Sequence, residues 1–131
     1  MKNRLKLKGY ELFNYAKTII PGGSQLFGKR SELYAPGLWP SYYKKAKGCE
    51  VTDLDNKKYL DFTMVGTGTS VIGYSNDKVN SAVKRALETG TISTLNNEEE
   101  LDLAEILLDL HPGMGMVRYA RSGGEILSIA I

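Results

Sequence analysis

The residues best suited to chemistry are Ser122, Gly123, Gly124 and Glu125. They follow an apolar, strand-like run from Met116 to Ala120 and open an apolar helical pattern. After a strand, two glycines let backbone N–H groups approach an anion closely. A helix starting there adds unpaired N–H groups and the positive end of its dipole. Ser122 can give its hydroxyl to the same anion. The turn therefore has the composition of a phosphate cradle. It also has that of a capping box, Ser-x-x-Glu, in which serine and glutamate satisfy the helix end reciprocally. Local sequence leaves both readings open. No lysine follows in the manner of a nucleotide P-loop, and no third glycine completes a dinucleotide fingerprint, so an ATPase or NAD site is disfavoured.

Other chemistry-bearing residues carry less. Gly66-Thr67-Gly68-Thr69-Ser70 is a second glycine cluster whose hydroxyls and backbone suit either a ligand or a close approach to a neighbouring subunit. Asp53 and Asp55 form a D-x-D pair, but Lys58 stands where a calcium loop needs Gly and Met64 where it needs Glu. A hairpin turn is the reading there, and no metal is expected. Cys49 has neither a CxxC partner nor a nearby histidine, which makes it a buried small hydrophobe. His111, the only histidine, sits where the helix before it should close.

The elements that must position these residues follow from periodicity. A helical spacing runs through residues 5–20, clearest from Leu12 onward, and Pro21-Gly22-Gly23 ends it. Residues 24–41 have Pro36 and Pro40 and no clear period, so they read as a crossing loop. Lys44–Lys47, 49-CEVTDL-54 and 58-KYLDF-62 read as short strands, with turns at Gly48 and at Asp55-Asn56. Val79, Ala82, Val83, Ala86 and Leu87 form the stripe of an amphipathic helix closed by Gly90. Asn97 caps a second helix, with Glu98, Glu99 and Glu100 set against its dipole and Leu101, Ala104, Leu107 and Leu108 as its stripe. Strands first, then helix–strand–helix, suggest an α/β layer entered from a small side sheet.

Bulk properties bound the class. The 131 residues suffice for one ordinary domain. Hydrophobic residues are 42% and charged residues 24%, ordinary for a globular chain. A net charge of +2 gives no reason to expect nucleic acid, and the basic clusters Lys2 to Lys8 and 44-KKAK-47 read as solvated surface. One cysteine fits a reducing compartment. No apolar run approaches the roughly 18 residues of a membrane span, and no apolar stretch follows the basic start to make a signal peptide. The expectation is a cytoplasmic protein with no membrane partner.

Several stretches, in order, resemble one family: 20-IPGG-23, 48-GCEVTDLDNKKYLDF-62, 72-IGYSNDKVNSAVKRAL-87, 98-EEELDLAEILLDLHP-112 and 117-VRYARSGGE-125. Together they resemble the N-terminal part of the class III aminotransferases, enzymes dependent on pyridoxal phosphate (PLP), and within that class glutamate-1-semialdehyde 2,1-aminomutase and its aminotransferase-like relatives. The resemblance implies an α/β fold, the N-terminal part of a fold-type-I PLP-dependent transferase. It would comprise an N-terminal helix, a small antiparallel strand unit, and the start of the large mixed sheet. Residues 1–65 would hold the helix, crossing loop and hairpin unit, and residues 66–131 the beginning of the PLP-binding α/β domain.

By the same resemblance Ser122, Gly123 and Gly124 hold the cofactor phosphate. The Gly66–Ser70 loop lies by the active site at a dimer interface, and a homodimer would form through it and the N-terminal segment. In the aminomutases an arginine after Pro-Gly-Gly faces the substrate carboxylate, and Lys29 or Arg30 falls near that place. The substrate would be of amino-acid or amino-sugar type. The family's Schiff-base lysine and the aspartate that pairs with the pyridinium nitrogen lie beyond the point equivalent to Ile131. The expectation is thus the front of a longer enzyme, with no catalytic residue of its own and inactive alone. The alternative is a non-catalytic phosphate-binding or interaction module, or a relic, derived from such an enzyme. Departures from the family pattern are Asn56 for Gly, Tyr74 for His, Asp77 for Pro and Ile126 for Ala; Asn tolerates the same left-handed turn as Gly.

Overall fold

The computed structural model describes residues 8–63 and 68–131. The chain divides into two compact units, Met1–Arg85 and Ala86–Ile131, and each is described by itself.

The first unit opens with helix α1, Gly9–Ala16, shorter than its sequence period because residues 17–20 leave the helix through turns. The Lys8 N–H donates to the Glu11 carboxylate at 3.1 Å and closes its first turn. Phe13 and Ala16 face inward and are buried. The Pro21–Gly23 turn folds back over them. Gly22 and Gly23 have φ of 72° and 74°, and a Cβ on Gly23 would stand 2.9 Å from the Phe13 ring. The turn therefore needs glycine both for its backbone and for its fit on Phe13. The crossing segment contains two further 3-10 turns, Phe27–Lys29 and Ser31–Leu33, and Tyr34 stacks on Trp39 with ring centres 4.3 Å apart.

Three strands follow as a meander: β1 (Tyr43–Lys47), β2 (Glu50–Asp53) and β3 (Lys58–Leu60), antiparallel in the order β1-β2-β3. Lys47 pairs with Glu50 across the Gly48-Cys49 turn, and Thr52 pairs with Lys58 across the second. The D-x-D sequence builds that second turn. The buried Asp53 carboxylate accepts the Asp55 N–H at 2.8 Å, the Lys57 N–H at 2.9 Å and the Tyr59 hydroxyl at 2.9 Å. Asn56 takes the left-handed conformation expected of it, φ 64°. Cys49 corrects the sequence reading. It is exposed, because it sits in a two-residue turn rather than within a strand face.

Helix α2, Asp77–Thr89, is capped by Asn76, whose side chain accepts the Lys78 and Val79 N–H groups at 3.0 and 3.3 Å. The boundary between the two units falls within α2. Its apolar stripe is exposed at Val79, Val83 and Leu87.

In the second unit α3 spans Glu98–Leu110. Asn97 caps it as expected, accepting the Glu99 N–H at 3.2 Å. The His111 N–H closes its C-terminus on the Leu107 and Leu108 carbonyls, both at 3.1 Å. The run from Met116 to Ala120 is not a strand in this structure. A strand exists only by pairing, and no described segment supplies the second edge. Helix α4, Gly123–Ala130, ends the described chain. No described helix is long and apolar enough to cross a membrane.

Candidate functional site

The start of α4 is built from the residues the sequence singles out. Ser122 is the N-cap in extended conformation. Its Oγ accepts the Glu125 N–H at 3.3 Å, and the Glu125 carboxylate accepts the Arg121 N–H at 2.9 Å. The capping-box reading is thus realised in a shifted form, with the glutamate reaching one residue further back than the N-cap. The Ser122 hydrogen remains available, because capping engages only the oxygen. Gly123 and Gly124 occupy the first two helical positions. Their N–H groups have no acceptor among the described residues, as first-turn donors lack intrahelical partners.

The two glycines are not required by this chain's own packing. A Cβ on either would meet no atom within 4 Å, and neither has positive φ. All of Arg121–Glu125 is exposed. The approach to the turn is fixed from behind, where the half-buried Tyr119 donates its hydroxyl to the Glu100 carbonyl in the first turn of α3 at 2.9 Å. The Ser128 hydroxyl donates to the Gly124 carbonyl at 2.9 Å. The resulting surface offers two backbone donors, one hydroxyl donor and a positive helix end, with no described residue within 4 Å of where either Cβ would stand. That donor set suits a tetrahedral dianion.

The remaining candidates fall elsewhere. Lys29 is exposed, whereas Arg30 is folded onto the Pro21–Gly23 turn, where a Cβ on Gly22 would stand 2.3 Å from its Nη2. Its guanidinium lies 5.1 Å from the centre of the Phe27 ring, and its buried Nε has no partner among the described residues. Of the two cations, only Lys29 is free of packing. Of the Gly66–Ser70 loop, Gly66 and Thr67 lie outside the described residues; Gly68–Ser70 form a turn, with Gly68 at φ 84°. Residues 1–7 of the N-terminal segment also lie outside them. A cavity of about 340 Å³ in the first unit, lined in part by Trp39, Tyr42, Asp53 and Tyr59, includes none of Ser122–Gly124.

Three features escaped sequence reasoning. The Tyr119–Glu100 tie and a Tyr74–Asp61 hydrogen bond of 2.6 Å join residues distant in sequence, and no periodicity marks them. The third, the Asn76 cap, was missed although it was legible, since an Asn stands directly before a helical stripe.

Comparison with known proteins identifies the family. The family model described as Aminotransferase class-III matches residues 34–131. The glutamate-1-semialdehyde 2,1-aminomutase of Methanoculleus marisnigri is 36% identical over 125 residues, spanning 95% of this chain and 29% of that protein. The enzyme of the same name from Acetivibrio thermocellus is 36% identical over 125 residues, spanning 92% of this chain and 27% of its own length. Among solved structures, an omega-transaminase from Sphaerobacter thermophilus superposes with a TM-score of 0.78 at 30% identity, over 94% of this chain and 27% of that one. FumI from Sphingopyxis sp. MTA144, solved in its PLP internal aldimine form, shares the fold with a TM-score of 0.82 at 24% identity, over 94% of this chain and 29% of its own. The chain thus spans under a third of the relatives it matches. Its helix–meander–helix order is that of the N-terminal part of a fold-type-I transferase, and the chain belongs to the class III aminotransferase family.

Proposed function

We propose that this chain supplies part of the cofactor-phosphate site of a PLP-dependent aminotransferase or glutamate-1-semialdehyde-aminomutase-like enzyme, with Ser122, Gly123 and Gly124 holding the phosphate. One observation carries the reading: the Gly123 and Gly124 N–H groups stand without acceptors among the described residues, at a helix start where the space of each missing Cβ is open. Glycine within a helix costs up to about 1 kcal/mol relative to alanine. Two in succession, unneeded by backbone or packing, fit a site that a ligand must approach closely. Capping and binding are compatible, because Ser122 accepts the Glu125 N–H through its oxygen and retains a hydroxyl hydrogen to donate.

PLP, when bound, supplies an electron sink for amino-group chemistry. The role of this chain is to hold and orient its phosphate through two N–H donors, one O–H donor and the α4 dipole. The Schiff-base lysine and the pyridinium aspartate belong to the part of the family's length that this chain does not span, so the chain by itself is inactive. The reading extends to an amino-acid or amino-sugar-type substrate, a homodimer through the N-terminal segment and the Gly66–Ser70 loop, a cytoplasmic setting, and a hairpin unit at 1–65 followed by the start of the PLP-binding domain at 66–131.

The test uses this chain completed by the remaining sequence of the Methanoculleus relative, titrated with PLP and with pyridoxal, which lacks the phosphate. Gly124→Val and Ser122→Ala each weaken PLP binding by roughly tenfold or more while leaving pyridoxal unchanged, because hydrogen bonds to a charged group carry about 1.5–3 kcal/mol. An unchanged ratio of PLP to pyridoxal affinity in both variants overturns the assignment.

A further inference from the structure

Residues 61 and 74 stand at the two ends of the segment that carries the second glycine cluster, and both are fastened to one point. The Asp61 N–H donates to the Cys49 carbonyl at 2.8 Å. Tyr74 and Gly48 exchange two backbone hydrogen bonds, at 2.8 and 2.9 Å, as an isolated antiparallel bridge. The Tyr74 hydroxyl then donates to the Asp61 carboxylate at 2.6 Å. Gly73, at φ 92°, lies against Gly48 so closely that a Cβ would stand 3.2 Å from the Gly48 Cα. The Gly73 N–H also donates to the Ser70 carbonyl at 2.8 Å, which folds Ser70 back toward this point.

We infer that Asp61 and Tyr74 are paired positioning residues: with Gly48 and Gly73 they clamp both ends of the 62–73 segment onto the β1–β2 turn and so fix where Ser70 stands. Each end of the segment has its own backbone attachment to the turn. The phenol–carboxylate bond joins the two ends to each other, so neither can leave without breaking it. Holding two chain ends together removes loop-closure entropy before any later binding event. The pair is half-buried, which strengthens a hydrogen bond to an ionised acceptor. The inference rests on the first unit alone and is independent of the phosphate assignment at α4.

Amide exchange on the full chain, read by NMR, is the test. Tyr74→Phe removes one hydroxyl, and Asp61→Ala removes its acceptor. Each speeds exchange of the Gly48, Asp61 and Tyr74 amides by roughly tenfold, as expected for local opening, and leaves the β2–β3 amides at Val51 and Tyr59, a directly paired couple, unchanged. The double variant is no faster than Asp61→Ala alone, because Asp61→Ala already deletes the bond that Tyr74→Phe removes, together with the Asp61 bond to the Thr63 N–H. Gly73→Ala gives the same local pattern with the phenol and carboxylate both present. Additive effects, no effect, or an equal rise across the whole sheet overturns the inference. A second measurement needs no variant. Tyr74 faces Asp61 and Tyr43, and in the intact clamp its ring-carbon resonance should titrate well above the ordinary value of 10.0; titration near 10 in the folded chain overturns the inference as well.

Discussion

The hairpin corner and the helical unit were written by the same chain under different terms. Around β1–β3 the polar groups complete one another: Asp53 accepts three hydrogen bonds from its own turn, and Lys58 pairs with Glu50 across β2 and β3 at 2.9 Å. In α2, α3 and α4 no residue is buried. Leu87 in α2 is 60% exposed and Leu101 in α3 63%, although both helix patterns are amphipathic. Hydrogen-bonded turns can be finished locally, because donor and acceptor lie a few residues apart. An apolar stripe is finished only by a second surface, and its stabilisation scales with the area removed from water. The difference between the two regions is the difference between directional and non-directional forces.

The comparison can be broken most severely at Phe13. It is the largest fully buried side chain among the described residues, 2% exposed, and Phe13→Ala should cost about 3–4 kcal/mol in denaturant unfolding of the first unit. A loss below about 1 kcal/mol would mean that the hairpin corner holds itself without α1. Asp53→Ala comes next. It leaves two N–H donors and a tyrosine hydroxyl without their acceptor, and should cost about 2–3 kcal/mol together with loss of protection at the Lys57 amide.

A pH series sharpens the same contrast. The Asp61 carboxyl is held below the usual range, first by the Thr63 side chain and then by the Tyr74 phenol, against the opposing effect of burial. The Tyr74 phenol is pushed up to about 12, first by its bond to Asp61 and then by burial. A lowered carboxyl contributes stability above its unfolded value of 3.8 and loses it as pH falls through the lower folded value. A raised phenol contributes below its unfolded value of 10.0 and loses it as pH rises toward about 12. The urea midpoint of the first unit should therefore be flat between these limits and fall at both ends. In Tyr74→Phe the alkaline fall shrinks; an identical profile in the variant would remove Tyr74 from the account.

The smallest effect belongs to the second unit. Leu101→Ser and Ile106→Ser alter exposed apolar side chains, so each should change the helical signal of the isolated chain by less than about 0.5 kcal/mol. They should also reduce any self-association in sedimentation, because exposed apolar side chains favour association. A large loss of helix without a change in association would show that the stripe is already covered.

The sequence by itself determined the local features. Glycine, asparagine and serine at Gly48, Asn56, Asn97 and Ser122 set turns and caps through bonds spanning a few residues, so their positions are legible without knowing the fold. The periods of α2 and α3 set their extents for the same reason. The motif series from 20-IPGG-23 to 117-VRYARSGGE-125 carried the family resemblance that the comparisons bear out. Tertiary structure alone decided what depends on distant partners. Cys49 is exposed rather than buried because a turn places it there, and Arg30 rather than Lys29 is spent on packing because the Pro21–Gly23 turn folds back beside it. The strand-like run at Met116–Ala120 has no strand partner among the described residues. Asp61 meets Tyr74 only because both ends of their segment return to the same β-turn. Contacts between residues far apart in sequence are selected by the closing of the chain, and no period or dipeptide records them.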